Sequence, residues 1–287
     1  MLFRFCQSLL KISKTIFLRP LIWVVDKVYV NEVHSKHEKI ASDVNSITCT
    51  PSAFLDKPRE EQLTVLAVDV LIHCANFMLM FASSNNRQSP SLFFTITFTY
   101  FAMDFATGMW HFCLDDPSTK NHHIPTVKNL AWQFQDHHDK PYDNTLPPLF
   151  HILSNFSFLL FPAMLLNIVY SAVFDINMTY YNICVYFFAI LSQYVHRSIH
   201  YVESQRAHWV IVCMNLGLLQ SVTNHHKHHK TFDCHYATLS GWTDPILHWC
   251  IGHIPRYKHN NPDLFGMAMR YMFIGMPLTY IAISKLY

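Results

Sequence analysis

Four apolar runs, at residues 64–83, 91–110, 149–174 and 180–195, divide the middle of the chain. Runs of this kind match the roughly 20 residues needed to cross about 30 Å of hydrocarbon as a helix. The first carries Asp69 and His73, an unusual load for a lipid-facing segment. The rest of the composition agrees with a membrane reading. Apolar residues make up 51% of the chain and charged residues 14%, against about 25% charged in soluble domains. The expected fold is an all-α integral membrane bundle of about four transmembrane helices.

Charge sets the orientation. Nine Lys or Arg lie in the first 60 residues, before the first run, which places the N-terminus on the cytosolic side. Two hairpins of two spans each then return the chain to that side. The residues 208–222 are apolar but too short to cross, and suit an interfacial or half-buried helix. Residues 264–283 are apolar but contain Arg270 and Pro277; they can lie on the membrane or cross it, and lying on it is the favoured expectation.

Several function classes drop out. A net charge of +2, with no basic stripe interleaved with aromatics, offers nothing to nucleic acid. The eight cysteines show no CxxC pair and several sit in apolar runs, so buried reduced thiols are expected rather than disulfides or a zinc ribbon. Residues 1–30 scatter basic residues among apolar ones and read as an amphipathic surface segment, not a signal peptide. Ser284-Lys285-Leu286 is followed by Tyr287, so it is no terminal peroxisomal address. The acceptor pattern at Asn177 lies in a turn tight against the membrane and is expected to stay unmodified.

The chain holds 20 histidines, and they fall in groups at the ends of the apolar runs. His111 closes the second run, with Asp115 one helical turn later, where the carboxylate can bind a metal or orient the imidazole. His137 and His138 are adjacent; on a helix they point about 100° apart, so two neighbouring metals can take one each. His196 and His200 share a helical face at the end of the fourth run. Arg197 stands where a zinc protease HExxH motif has its general base, which excludes that class. His225, His228 and His229 share a face of one short helix, with His226 left over by geometry. His122 and His123 precede Ile124-Pro125 and are ranked as ornamental. The four-span topology brings His111, the 137/138 pair, the 196/200 pair and the 225–229 cluster to one membrane face. Eight imidazoles exceed the four ligands that close a tetrahedral zinc site. They suit two first-row metals at an open, nitrogen-rich centre, and iron in such a centre supports dioxygen chemistry. The residues thus point to a cytosolic His-rich dimetal cap on a membrane bundle, acting on lipid. A non-catalytic metal-binding membrane protein is the alternative from another class.

The order of motifs resembles the Kua-type lipid desaturases, the family of plasmanylethanolamine desaturase. The matching stretches are Asp104-Phe105-Ala106-Thr107-Gly108-Met109-Trp110-His111 with Asp115, Phe134-Gln135-Asp136-His137-His138 with Pro141 and Thr145, and Gln193-Tyr194-Val195-His196-Arg197-Ser198-Ile199-His200. His225 to His229 and Tyr236 to Trp242 complete the series. The resemblance implies a di-iron site held by His111, Asp115, His137, His138, His196, His200, His225, His228 and His229. It implies dioxygen as co-substrate and cytochrome b5, with its reductase, as electron donor. It further implies a multi-pass protein of the endoplasmic reticulum membrane that makes the vinyl ether bond of plasmalogens; a fatty-acyl desaturase or hydroxylase acting on phospholipid is the nearest alternative. The expected domains are a basic arm at 1–62, the desaturase domain at 63–262 and an apolar C-terminal segment at 263–287. Asn224 and Pro147 stand where some members carry His, and His151 lies close enough in sequence to substitute for the second.

Overall fold

The computed structural model describes residues 58–82, 89–141, 145, 147, 149–253 and 264–286. Most of the basic arm expected at 1–62 lies outside the described residues. The fold is helical throughout the described residues, with no strand among them. Four long helices form the body: α1 (Arg59–Ala82), α2 (Leu92–Asp115), α4 (Leu149–Phe174) and α5 (Thr179–Ile199). The 15-residue α3 (Pro125–Asp139) links α2 to α4, opening with its proline at the first turn, where a missing N–H costs nothing. Four shorter helices follow: α6 (His208–Asn215), α7 (Val222–Thr231), α8 (Asp244–His253) and α9 (Leu264–Arg270). Tyr271–Gly275 then forms a π-helical turn that leads into α10 (Met276–Ser284).

Local chemistry accounts for the boundaries. Ser91 caps α2, its hydroxyl accepting from Phe94 N at 3.2 Å. The tight α4–α5 turn bends at Asp175 (φ 54°), and Asn177 Oδ1 accepts from Thr179 N at 2.9 Å. At the far end of α5, Arg206 donates to the carbonyls of Ser198, Ile199 and Tyr201, at and just beyond the last turn of the helix. The first helix begins at Arg59, several residues before the run expected at 64, because Glu60 and Glu61 in its first turn suit the positive helix end.

The bundle is apolar on both its inside and its outside. Met103, Leu160, Met164, Met178 and Tyr181 are buried in the core. Phe77, Met78, Phe93, Val169 and Phe187 are exposed on its outer face. Polar side chains point inward and pair there: Asn167 Nδ2 donates to Asn182 Oδ1 at 2.8 Å, and Asn76 Nδ2 donates to Ser157 O at 2.8 Å. His151 meets Asp69 at 2.9 Å, and His73 meets Ser157 at 3.0 Å. That pattern is what hydrocarbon outside a helix bundle demands.

Among the described residues, three helices, α1, α2 and α4, are long and apolar enough to cross a membrane, one fewer than expected. The fourth, α5, has 21 residues and is roughly 31 Å long at about 1.5 Å per residue. Its hydropathy is diluted by Asn182, Ser192, Gln193, His196 and Arg197, all of them buried. It packs between α2 and α4, with Phe188 against Tyr100 and Asn182 against Asn167. The C-terminal segment packs along the bundle. It runs the length of α2 in the opposite direction: Cys113 Sγ donates to Leu264 O at 3.1 Å, Tyr271 Oη to Ala102 O at 3.3 Å, and Tyr280 Oη meets Thr95 Oγ1 at 2.9 Å.

Candidate metal centre

The C-terminal ends of α2 and α5, the last turn of α3 and the whole of α7 meet at one end of the bundle. Two groups of ligating side chains form there. His137, His196, His200, His225 and His229 make one; His111, Asp115, His138 and His228 make the other. Within each group the ligand atoms lie within 4.8 Å of one another. The structure therefore brings together all nine side chains singled out from the sequence. His137 and His138, adjacent on α3, enter different groups. So do His228 and its α7 neighbours His225 and His229.

The groups differ in chemistry. In the first, the Nε2 atoms of His137 and His196 are 3.1 Å apart, those of His200 and His225 3.1 Å, and those of His225 and His229 3.0 Å. Two donors about 2.1 Å from one metal and at right angles to each other would be about 3.0 Å apart, so the spacing fits a shared ion. In the second group, Asp115 Oδ1 is 2.9 Å from His138 Nε2, while Asp115 Oδ2 is 3.1 Å from His228 Nε2 and 3.4 Å from His111 Nε2. Despite those distances, His111 Nε2, His228 Nε2 and Asp115 Oδ2 are buried without a hydrogen-bond partner. Buried polar atoms are rarely left so. Convergent lone pairs without donors are what a cation would satisfy, and the residues fit a metal at each group.

Burial shapes the protonation of the imidazoles on the connecting segments. It pushes His137, His200 and His225 well below the ordinary histidine value, and the neighbouring imidazoles push the same way. His229 falls to about 3, through burial first and His138 next. Imidazoles that stay neutral at physiological pH keep their lone pairs for a metal.

The supporting residues explain most of the remaining motif positions. Asp104, Thr107, Gly108 and His111 fall at helical spacing on one face of α2, and each meets the segment 236–243. Asp104 Oδ1 accepts from Ser240 N at 2.7 Å and Gly241 N at 3.0 Å. Its Oδ2 accepts from Thr243 N at 2.9 Å and Thr243 Oγ1 at 2.7 Å. Thr107 Oγ1 accepts from Thr238 N at 3.2 Å. A Cβ on Gly108 would sit 2.6 Å from Leu247 Cδ2 and 3.2 Å from Ala237 N, so only glycine lets the segment approach. At the top of this ladder His111 Nδ1 donates to Tyr236 O at 2.7 Å, and His228 Nδ1 to Cys234 O at 2.7 Å. Both bonds fix the tautomer that turns Nε2 toward Asp115.

Arg197, noticed in the sequence only for the glutamate it is not, is buried. Its Nη1 donates to Pro147 O and its Nη2 to Thr145 O, both at 2.6 Å, and its Nε to Tyr201 Oη at 2.6 Å. It ties Thr145, which closes the motif begun by His137 and His138, and Pro147 to α5. Gln135 donates to Leu114 O at 2.8 Å and Asp116 O at 3.1 Å, fastening α3 to the end of α2. The histidines set aside stay outside both groups. His122 stacks on His123 at 4.4 Å, and His226 belongs to neither group. His151 pairs with Asp69 and does not take the place of the missing histidine.

The lipid desaturase domain, as a family model, matches residues 100–251, more than half of the chain. The protein belongs to the lipid desaturase family. Comparison with curated proteins and with solved structures returns no match. The matched region starts in α2 and ends in α8, so it contains both ligand groups of the desaturase and the segment that braces them. As a member of this family the chain is an oxidoreductase whose substrate is lipid, and its apolar helices fit a multi-pass membrane protein.

Proposed function

We propose that this desaturase holds two iron ions, one at each ligand group, and forms the vinyl ether double bond of plasmalogens from a 1-O-alkyl phospholipid. Dioxygen is the oxidant, and electrons come from cytochrome b5 and its reductase. The reading places the protein in the endoplasmic reticulum membrane. There α1, α2, α4 and α5 cross, the N-terminus is cytosolic, and the ligand groups form a cap on the cytosolic face. One observation carries the reading: two separate ligand groups sit side by side at one end of an apolar bundle, five imidazoles in one and three with a carboxylate in the other.

Bound iron would supply the oxidising power to remove two hydrogens from adjacent carbons, chemistry that side chains alone do not offer. The chain does the rest. Tyr236 O and Cys234 O hold His111 and His228 in one tautomer. Asp115 brings negative charge to the second group alone, so the two metals would differ in electron richness. Burial of His111, His225 and His228 keeps bulk water from the centre and protects a reactive oxidant from side reactions.

Two measurements test the proposal. Metal analysis of the purified protein should find about two irons per chain; zinc, or no metal, would favour a non-catalytic binding protein. Lipid analysis of cells with and without the chain should show gain and loss of acid-labile vinyl ethers. A change confined to acyl unsaturation would assign the fatty-acyl reading instead.

A further inference from the structure

Two segments leave the His end of the bundle, descend along α2 and α5, and return without crossing. The first is α6, the turn at 216–221 and α7. Its upper part is level with the end of α5, where Trp209 stacks on Tyr194 at 5.7 Å. Its tip is far below, where Tyr100 Oη donates to Leu218 O at 2.6 Å. The second is the segment 236–243 with α8. It starts beside His111, passes Gly108 and reaches Asp104, and Trp242 packs against Phe101 with ring centroids 6.1 Å apart. It then climbs back, with Leu247 close to Gly108. From Tyr100 to Asp115 is roughly 22 Å of helix, and from Leu92 to Tyr100 roughly 12 Å, at about 1.5 Å per residue. Both tips therefore lie past the middle of α2.

We infer that these two segments are re-entrant and that the outward faces of residues 208–221 and 240–252 contact the acyl chains of the bilayer. The inference rests on the membrane-spanning reading of the bundle.

Three observations support it. Irregular backbone survives at membrane depth only where protein satisfies its polar groups, and here the tips satisfy each other. Trp242 Nε1 donates to Gly217 O at 2.6 Å, Gln220 N donates to Leu239 O at 2.9 Å, and Asp104 takes the N–H groups of Ser240, Gly241 and Thr243. The outward side chains are large and apolar: Leu216 is 65% exposed, Trp242 58% and Trp249 64%, with Leu218 and Ile246 beside them. His208, Asn215 and His248 are the exposed polar side chains in 208–221 and 240–252. No Lys, Arg or Glu occurs in 208–221 or 240–253, and the single carboxylate there, Asp244, is buried. Finally, the patch continues the apolar outer surface of α2 through the Phe101–Trp242 contact.

Cysteine labelling in native membranes tests this directly. Single substitutions Leu216→Cys, Leu218→Cys and Trp242→Cys are probed with a membrane-impermeant maleimide and read as labelling gained over the parent chain. Val169→Cys, outward on α4, reports the bundle surface, and Lys128→Cys, exposed on α3, reports water at the His end. The expected result is labelling at 128 and protection at 169, 216, 218 and 242. Protection at 169 with labelling at 216, 218 and 242 at the rate of 128 overturns the re-entrant assignment alone. Labelling at 169 as well overturns the membrane reading on which it depends. A nitroxide at 216 gives a second readout: higher accessibility to oxygen than to a polar nickel complex is expected, and the reverse order refutes the proposal even where a 218 or 242 variant folds poorly.

Discussion

Replacing Asp104 with Asn changes one atom and should cost the centre its support. The carboxylate is fully buried and accepts four hydrogen bonds, two at each oxygen. Asn keeps one acceptor oxygen; its NH2 can give a proton to the Thr243 hydroxyl but faces Thr243 N–H, which cannot accept. One charge-assisted bond is lost, at about 1.5–3 kcal/mol, and the other three become neutral, at about 0.5–1 kcal/mol each, so the loss is about 3–6 kcal/mol before any clash. That is a large part of the roughly 5–15 kcal/mol that holds a typical domain folded. The loss falls on the segment whose Tyr236 carbonyl orients His111. Thr243→Val removes only the hydroxyl bond and should cost about 1.5–3 kcal/mol. Thermal melting in detergent and metal content per chain measure both variants. The expected order is wild type, then Thr243→Val, then Asp104→Asn, in melting temperature and in metal retained. Asp104→Asn with wild-type melting and full metal would refute the argument that this ladder holds the site.

Other outcomes follow from the same geometry. His196→Ala and His228→Ala each strip one ligand from a different group, and both should abolish product while membrane insertion, measured by carbonate extraction, is unchanged; His122→Ala, outside both groups, should stay near wild type. Gly108→Ala should push the 236–243 segment from α2 and weaken metal retention about 10- to 100-fold, measured by competition with a chelator. Arg197→Lys loses the fork that binds Thr145 O and Pro147 O together, and turnover should fall without loss of the α5 helix by circular dichroism. Acid should weaken the metal-free protein. Its lowered histidines, His229 down to about 3 among them, are neutral when folded but bind protons near 6.5 once unfolded, so their contribution is present above about 6.5 and is lost as pH falls toward 3. Asp244 acts with the opposite sign. Burial raises it to about 7, so its contribution is present below about 3.9 and is lost as pH rises through 7. Four lowered histidines outweigh one raised carboxyl, so melting temperature should drop between pH 7 and 5; a rise over that interval would contradict the assignment.

The residues that gather at the site are legible because they recur at short spacing on helices. His196 and His200 are four apart, His111 and Asp115 four apart, and each pair lands in one group or on one helix end as the period of 3.6 requires. The adjacent pair His137-His138 was legible as two directions from one backbone. What spacing within a helix cannot show is which group each direction reaches. His228 shares a face with His225 in sequence, yet it joins Asp115 rather than its neighbours because the Cys234 carbonyl takes its Nδ1 proton. That acceptor is a backbone atom and leaves no mark on the choice of residue type. The same holds for Tyr236 O at His111 and for Thr145 O and Pro147 O at Arg197. One mark was present and unread: Asp104, Thr107, Gly108 and His111 carry the 3, 4 and 7 spacing of a single helix face, with a small residue where backbone must come close.

The membrane elements are less legible in sequence, for a different reason. Hydropathy averages a helix over all its faces, whereas a bundle sorts them. In α5 the polar residues turn inward, so a helix as long as its neighbours reads as less apolar than they do. In the C-terminal segment Arg270 and Pro277 suggested a surface helix. The chain instead breaks its hydrogen-bond register through the π-helical turn Tyr271–Gly275 and continues along α2 to Thr95, with Tyr280 stacked between Phe94 and Tyr181. A π-turn rotates the helix face that follows it, and here it lets Tyr271 and Tyr280 both face inward, to Ala102 and Thr95. On the membrane-spanning reading of α2 the segment crosses beside it, and the end of α10 is expected on the face opposite the histidines. A tag after Tyr287 should then be protected from protease in sealed microsomes while a tag at the N-terminus is digested. Digestion of both would place the last helix on the His side and leave the surface orientation standing.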